Sequence, residues 1–171
     1  MKIDADSPEC ITGNPTGNLI VISGPSGAGK GSIVKALLDQ YASIHYSVSA
    51  TTRSPREGEV NGVNYWFVSR EEFLHMRENA ELLEWAEVYS NFYGTPRRRV
   101  MDAINRGHDI ILEIDPQGAM QVKKCFSSAV FVYIMPPSPR ELSRRIVGRG
   151  TESQEAIRQR LKSVVSELGY I

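Results

Sequence analysis

Apolar residues along the chain fall into short runs separated by stretches with helical spacing. Residues 19–22, 110–114 and 130–134 are runs of mainly β-branched and aromatic side chains, a pattern typical of fully buried strands. After the first run, Ile33, Val34, Leu37 and Leu38 recur at helical spacing. Buried strands that alternate with helical segments predict an α/β fold with a parallel sheet flanked by helices on both faces.

Polar residues mark where the helices begin and end. Three pairs match the capping box, in which a hydroxyl and a carboxyl or amide group satisfy the first helical N–H groups: Ser69 with Glu72, Ser138 with Glu141, and Thr151 with Gln154. Thr95 followed by Pro96 predicts an N-cap with proline at the first helical position, and Gly107 would end that helix. A last helix presents one apolar face over residues 157–168, and Gly169 suits its C-cap.

Composition limits the classes of protein that fit. A length of 171 residues indicates one domain, and 20 basic residues balance 20 acidic ones. A net charge of zero argues against a nucleic-acid binder. No apolar run approaches the about 20 residues that span a bilayer, and Asp4, Asp6 and Glu9 argue against a signal peptide, which needs an apolar region there. We expect a cytoplasmic protein with no membrane partner, with Cys10 and Cys125 as free thiols.

A glycine-rich turn follows the first strand and carries the clearest chemical signal. Gly24 to Lys30 has the spacing G-x-x-x-x-G-K, in which backbone N–H groups surround phosphate oxygens and the lysine reaches the β- and γ-phosphates. An ordinary glycine-rich turn is the alternative, but the buried strand before it and the helix after it favour a P-loop. The predicted ATP-binding residues are Gly24, Pro25, Ser26, Gly27, Ala28, Gly29, Lys30, Gly31 and Ser32.

One position departs from the P-loop pattern. Gly31 stands directly after the lysine, where a hydroxyl residue normally binds Mg²⁺, and Ser32 comes one place later. We therefore expect phosphates and water to hold the ion for the most part, with Ser32 as the one candidate metal ligand in the chain.

Two basic segments are candidate anion sites. Arg53 and Arg56 are three residues apart around Pro55 and could form a fork for a phosphate, although an exposed loop would look the same. Residues 138–162 hold seven basic residues against three acidic ones. A solvated helix face is the alternative for that segment.

Five motifs together identify a family. The chain contains, in this order, GPSGAGKGS, SATTRSPREGEVNGVNYWFV, LLEWAEVYSNFYGT, ILEIDPQGA and RELSRRIVGRGTES. This combination closely resembles guanylate kinase, the nucleoside monophosphate kinase that phosphorylates GMP with MgATP, and the resemblance covers residues 19–169.

The resemblance implies a fold in three parts after a flexible leader of residues 1–18. A P-loop kinase core would comprise residues 19–43 and 95–137. A GMP-binding subdomain would be inserted at about residues 44–94, and a helical lid would cover about residues 138–160. The family continues with another core strand, an adenine-contacting loop and a helix, so we expect these C-terminal core elements to be missing from the domain at 19–171.

The resemblance also implies which residues form the site. The residues that would surround GMP are Ser49, Arg53, Arg56, Tyr65, Glu84, Tyr93, Gly94, Thr95 and Asp115. The arginines and tyrosines would hold the phosphate, and Ser49, Glu84 and Asp115 would contact the base. Catalysis would depend on four cations, which are Lys30, Arg56, Arg149 and Arg160. Taken singly, Tyr65 and Tyr93 could be packing residues and Glu84 a helix-surface acid.

Three functions remain open at this point. The first is an active guanylate kinase that uses Mg²⁺ with ATP and takes ATP and GMP as small-molecule partners. The second is a catalytically inactive guanylate-kinase-like module that binds phosphopeptides, and Lys30 in an intact loop argues against it. The third is another P-loop kinase, which would leave the motifs between residues 49 and 95 unexplained. Either a monomer or a homodimer is compatible with the sequence.

Overall fold

The fold contains two sheets, each with helices beside it. A computed structural model describes residues 15–88 and 90–148. Its strands are β1 Leu19–Ser23, β2 Ile44–Tyr46, β3 Ala50–Thr51, β4 Trp66–Phe67, β5 Leu82–Val88, β6 Asn91–Pro96, β7 Asp109–Glu113 and β8 Val130–Tyr133. Its helices are α1 Lys30–Gln40, α2 Arg70–Glu78, α3 Arg97–Asn105, α4 Pro116–Cys125 and α5 Pro139–Gly148.

The first sheet is parallel, with the strand order β2-β7-β1-β8. Leu19 and Val21 point into a core shared with α3 and α4, while Ile22 packs on the other face with Val34 of α1. Both faces of β1 are therefore covered, and the predicted α/β arrangement is confirmed. Its strand ends set the position of the glycine-rich turn, because that turn begins directly after β1.

Strand β8 differs from its prediction. Val130 is 50% exposed and Val132 is 39% exposed, although residues 130–134 were expected to form a fully buried strand. The physical reason is position, since β8 lies at an edge of the sheet within the described part of the chain. A continuous apolar run does not distinguish an edge strand from a central one.

The second sheet has the order β4-β3-β6-β5 and combines one parallel pair with two antiparallel pairs. Helix α2 covers it through Phe73, which is fully buried and stacks on Phe92. The predicted capping box at Ser69 and Glu72 is present with both of its hydrogen bonds. Strand β2 lies within residues 44–94 but pairs with β7, so it belongs to the first sheet.

Two helix starts differ from the sequence prediction. Thr95 was expected to cap α3, but it lies inside β6, and Pro96 is the N-cap, with no side-chain hydrogen bond. The reason is tertiary, because the Thr95 hydroxyl is buried and donates to Glu84 instead. At α5 the Ser138 hydroxyl accepts from the Glu141 N–H as predicted, but the Glu141 carboxylate binds Arg144 and Arg145.

Some predictions fall on residues that the structure does not describe. These are most of the leader, the Thr151–Gln154 pair, the last helix, and the part of the lid after residue 148. Gly107 follows the end of α3 with a φ of 83°, as expected of a glycine that ends a helix. None of the helices in the described ranges is both long enough and apolar enough to cross a bilayer.

Candidate active site

The P-loop lies between the end of β1 and the start of α1. Gly24 and Gly29 have φ values of 143° and 101°, which are costly for residues with a side chain. A Cβ at Gly24 would also collide with the carbonyl oxygen of Ile134. The Lys30 ammonium group donates to the carbonyl oxygens of Gly24 at 2.6 Å and Pro25 at 3.2 Å, so it folds back over the loop.

This loop borders an open cavity of about 380 Å³. The cavity is lined by Ser26, Gly27, Gly29, Lys30, Gly31, Ser32 and Glu113. Six of these seven are predicted ATP-binding residues, and the structure brings them together around one space. Their N–H groups, ammonium group and hydroxyl groups form a polar, positively polarised lining suited to phosphate.

Glu113 is a residue that the sequence analysis missed. The parallel pairing of β1 with β7 places Glu113 beside Ile22, where both strands end, and its carboxylate reaches the cavity next to Gly31. The available signal was an acidic residue in an otherwise apolar strand. In a parallel sheet, such a residue at the carboxyl end lies at the edge where ligands bind.

Arg145 belongs to the basic segment 138–162 but was not among the predicted site residues. Its guanidinium lies on the P-loop, where Nη1 donates to the carbonyl oxygen of Ala28 at 3.3 Å, while Nε binds Glu141. Helix α5 therefore already places one cation of the basic segment beside the phosphate loop. The predicted lid residues Arg149 and Arg160 lie outside the described residues.

Arg53 is held in a cluster on the second sheet. Its two terminal nitrogens donate to the two carboxylate oxygens of Glu59 at 3.0 and 2.9 Å, and its guanidinium carbon lies 5.4 Å from the centre of the Tyr65 ring. The hydrogen bonds with Glu59 raise the pKa of Arg53 and lower that of Glu59. Tyr93 packs edge-on against Tyr65, with ring centres 6.0 Å apart. Arg53, Tyr65 and Tyr93 are thus together, as predicted.

Arg56 lies at the exposed end of the same loop, and its backbone N–H donates to Glu59 at 2.7 Å. The same Glu59 carboxylate accepts from both terminal nitrogens of Arg53. One carboxylate therefore fixes the Arg53 side chain and the Arg56 backbone.

Glu84 is buried where β5 contacts α4. Between Leu82 and Trp85 strand β5 advances three residues while β6 advances two, and this bulge accommodates Glu84. Only 4% of Glu84 is exposed, and the Thr95 hydroxyl donates to its Oε1 at 2.6 Å. Its Oε2 lies against Gly118 of α4. Glu84 is therefore a buried strand residue and not a helix-surface acid.

Burial raises the pKa of Glu84 to about 8. The hydrogen bond from Thr95 opposes this shift, and the charge of the nearby Asp115 adds to it. The Asp115 side chain caps α4 through a 2.7 Å hydrogen bond from the Gly118 N–H. The two predicted base-contacting acids are neighbours, and burial holds the pKa of Glu84 well above the usual range of a carboxyl group.

Two other predicted residues have structural roles in this region. Gly94 is buried in β6, and a Cβ there would lie 2.9 Å from the Glu84 carbonyl oxygen and 3.0 Å from the Phe73 ring. The carbonyl oxygen of Ser49 accepts from the Trp66 N–H at 2.8 Å in front of β3.

Glu113 connects the P-loop cavity electrostatically with a tyrosine of the Arg53 cluster. The charge of Glu113 raises the pKa of Tyr65, after the larger effects of burial and of Tyr93. Burial is the largest cause of the raised pKa of Tyr46, and Glu113 and Tyr65 raise this pKa further. A carboxylate of the phosphate cavity therefore acts on the aromatic residues of the second cluster.

Comparisons with known proteins agree with this geometry. The family model described as "Guanylate kinase" matches residues 16–171. The guanylate kinase of Desulfitobacterium hafniense is 56% identical over 91% of this chain and 78% of its own length. That of Caldanaerobacter subterraneus is 55% identical over 91% of this chain and 75% of its own length.

A solved structure matches as well. The crystal structure of guanylate kinase from Anaplasma phagocytophilum superposes with a TM-score of 0.73 and 39% identity, over 91% of this chain and 72% of that one. The chain thus matches one family over nearly its whole length. It contains a P-loop, an arginine–tyrosine cluster and a buried glutamate. The chain belongs to the guanylate kinase family.

Proposed function

We propose that this protein is an ATP:GMP phosphotransferase that transfers the γ-phosphoryl group of ATP to GMP, giving ADP and GDP. The family supports this activity. The observation that carries the assignment to particular residues is the position of Glu113, which lines the P-loop cavity and acts on Tyr65 of the second cluster. A phosphoryl transferase needs its donor and acceptor sites side by side.

The donor site is the P-loop cavity. Residues 24–32 would bind the ATP phosphates, and Lys30 would exchange its bonds to the loop carbonyls for phosphate oxygens. Arg145 on α5, together with Arg149 and Arg160 of the lid, would approach the transferring group. This assignment concentrates positive charge where the transition state carries negative charge.

The acceptor site is the second sheet with the start of α4. Arg53, Arg56, Tyr65 and Tyr93 would bind the GMP phosphate. Glu84 would accept hydrogen bonds from the two adjacent N–H donors of guanine, after losing its proton. The remaining members of the proposed site complete the base and ribose contacts, namely Ser49, Gly94, Thr95 and Asp115. Residues 44–94 and the lid at 138–160 would act as the GMP-binding and covering parts.

The chemistry requires positioning more than proton transfer. The attacking atom is a phosphate oxygen that is largely ionised near pH 7, because the second pKa of a phosphate monoester is about 6. No general base is therefore needed. The residues of both sites align the two phosphates and neutralise their charge, and the lid excludes water so that ATP is not hydrolysed.

Mg²⁺ is proposed as the ion that accompanies ATP. Ser32 and Glu113 bring oxygen donors to the cavity, and Mg²⁺ prefers oxygen ligands. These side chains would hold the ion directly or through water, with the phosphates as its main ligands. When bound, the ion neutralises phosphate charge.

Two alternatives are disfavoured. A phosphopeptide-binding module has no use for the cavity that Lys30 and Glu113 line. Another P-loop kinase would not explain the buried Glu84 beside Thr95. We propose the cytoplasm as the compartment, because ATP and GMP are available there. No nucleic acid or membrane is proposed as a partner, and a monomer or a homodimer both fit this function.

The test is an ADP-release assay with GMP, AMP, CMP and UMP as acceptors. We expect turnover with GMP and a kcat/KM for AMP lower by about 10⁴-fold, because adenine would leave the buried acid badly paired. Glu84→Gln keeps the shape but loses one acceptor, and the GMP/AMP ratio should collapse through weaker use of GMP. Similar rates with all four acceptors would overturn the assignment of GMP as the substrate. An unchanged GMP/AMP ratio of kcat/KM in Glu84→Gln would overturn the role assigned to Glu84.

A further inference from the structure

Glu59 is a carboxylate inside the predicted phosphate site, where a negative charge is unexpected. It lies six residues after Arg53, and both side chains are largely buried, with 18% of Glu59 and 16% of Arg53 exposed. Acidic groups close to a phosphate weaken its binding by charge repulsion. The presence of Glu59 there calls for a compensating role.

The contacts show what Glu59 does to Arg53. The carboxylate binds the end of the guanidinium through both terminal nitrogens, and Nη1 also donates to the Ser54 carbonyl oxygen at 2.7 Å. A guanidinium has five N–H groups. These three hydrogen bonds leave Nε–H and one N–H of Nη2, which together form the second two-donor edge of the group.

The faces of the guanidinium are held as well. Tyr65 and Phe67 lie with ring centres 5.4 and 5.8 Å from its central carbon. Tyr93 also stabilises the charged guanidinium, in part through a side-chain hydrogen bond, as a smaller contribution than Glu59. The remaining edge of Arg53 therefore faces Tyr93, with which it would share the phosphate. One edge and the flanking rings are therefore occupied by protein groups, beside a tyrosine that the proposed function places on the phosphate.

We propose that Glu59 is a positioning residue for the acceptor phosphate, which holds Arg53 so that its remaining two-donor edge is presented to the phosphate of GMP before GMP arrives. Glu59 does not touch the nucleotide. It also accepts from the Arg56 backbone N–H, which anchors the loop, whereas Arg53 is the side chain that it positions. This inference rests on the proposed function, because it takes GMP as the ligand.

The test compares GMP with guanosine, which has the same base and no phosphate. Both affinities are measured by calorimetry for the wild type, Glu59→Ala and Glu59→Gln. Glu59→Ala should weaken GMP binding about tenfold, as expected when a long side chain must be ordered on binding. Guanosine affinity and kcat should change little, so that KM rises alone. Glu59→Gln keeps one acceptor oxygen and should fall between the two.

Two controls separate positioning from other effects. Glu57→Ala removes the same charge from an exposed position of the same loop, and it should leave GMP affinity unchanged. In an Arg53→Ala background, Glu59→Ala should add almost nothing, because the side chain that Glu59 positions is gone.

Each other outcome has a definite meaning. Unchanged or tighter GMP binding by Glu59→Ala would overturn the inference, as would an equal loss for GMP and guanosine, which indicates a collapsed loop. If Glu59→Ala does not fold, the same comparison with Glu59→Gln decides. Failure of the wild type to bind GMP would overturn the proposed function instead.

Discussion

Glu84 shows what burial does to a single side chain. The carboxyl group lies between Thr95 and α4, and burial raises its pKa to about 8. A protonated carboxyl offers one donor and one acceptor, whereas the guanine edge offers two donors. In the proposed site, binding of guanine would therefore require that Glu84 first lose its proton.

This coupling gives a pH dependence with a definite sign. Below a pKa of about 8, the ionised fraction of Glu84 falls as pH falls, so guanine affinity should decrease towards tenfold per pH unit. Titration of guanosine between pH 6 and 9 avoids the ionisation of the phosphate. Glu84→Gln should bind weakly with no such dependence, and a flat wild-type profile would contradict the prediction.

Lys30 lines the P-loop cavity and belongs to the proposed ATP site only. Lys30→Ala should lower kcat by at least about 10²–10³-fold, because a preorganised cation is removed from the developing charge. GMP affinity should be almost unchanged, since Arg53 lies in the loop after β3 and Tyr93 lies in β6, and both strands belong to the other sheet. Steady-state kinetics and GMP titration check this, and an equal loss in both would contradict the separation.

At the scale of elements, sequence patterns correctly predicted the features that depend on interactions between residues close in sequence. The run before the P-loop, the glycine spacing and the Ser69–Glu72 box all correspond to structure, because each depends on residues close in sequence. Thr95 failed as an N-cap because Glu84, eleven positions away in sequence, takes its hydroxyl. The two-residue strands β3 and β4 carry no readable period, and pairing alone defines them.

Helix α4 is shaped by the residue that it faces. Gly118→Ala would normally favour a helix by about 1 kcal/mol. Here the new Cβ would meet Glu84 Oε2 and lie 3.1 Å from Cδ, an overlap that typically costs about 1–3 kcal/mol, so we expect a net decrease of up to about 2 kcal/mol in the free energy of unfolding. Urea denaturation checks this. In a Glu84→Ala background the same change should become stabilising, and a loss of equal size there would contradict the steric explanation.

At the scale of the molecule, the two sheets are joined where α4 meets β5. The Gln121 amide accepts from the Trp85 N–H at 3.2 Å and donates to the Trp85 carbonyl oxygen at 2.6 Å. One side chain thus satisfies two backbone groups of β5. No sequence pattern predicts this joint, and the relation between the ATP and GMP sites came only from resemblance to a family, because each site lies on a different sheet.

Loss of this joint should affect the whole protein. Gln121→Ala leaves two backbone groups of β5 without their partner, which should reduce the free energy of unfolding by about 1–3 kcal/mol. Thermal denaturation measures the change, with Gln40→Ala at the exposed end of α1 as the control. Equal melting temperatures for the two variants would contradict the role of Gln121.

The contact between Gly118 and Glu84 has a consequence for how this chain can change over evolutionary time. Gly118 has no positive φ that demands glycine, and the first atoms that an added Cβ would meet all belong to Glu84. The two positions should therefore vary together, with larger residues at 118 admitted only after a shorter residue replaces Glu84. A substitution of Glu84 in β5 would therefore come first, and enlargement of position 118 in α4 would follow it, so the order in which the two positions can change is fixed.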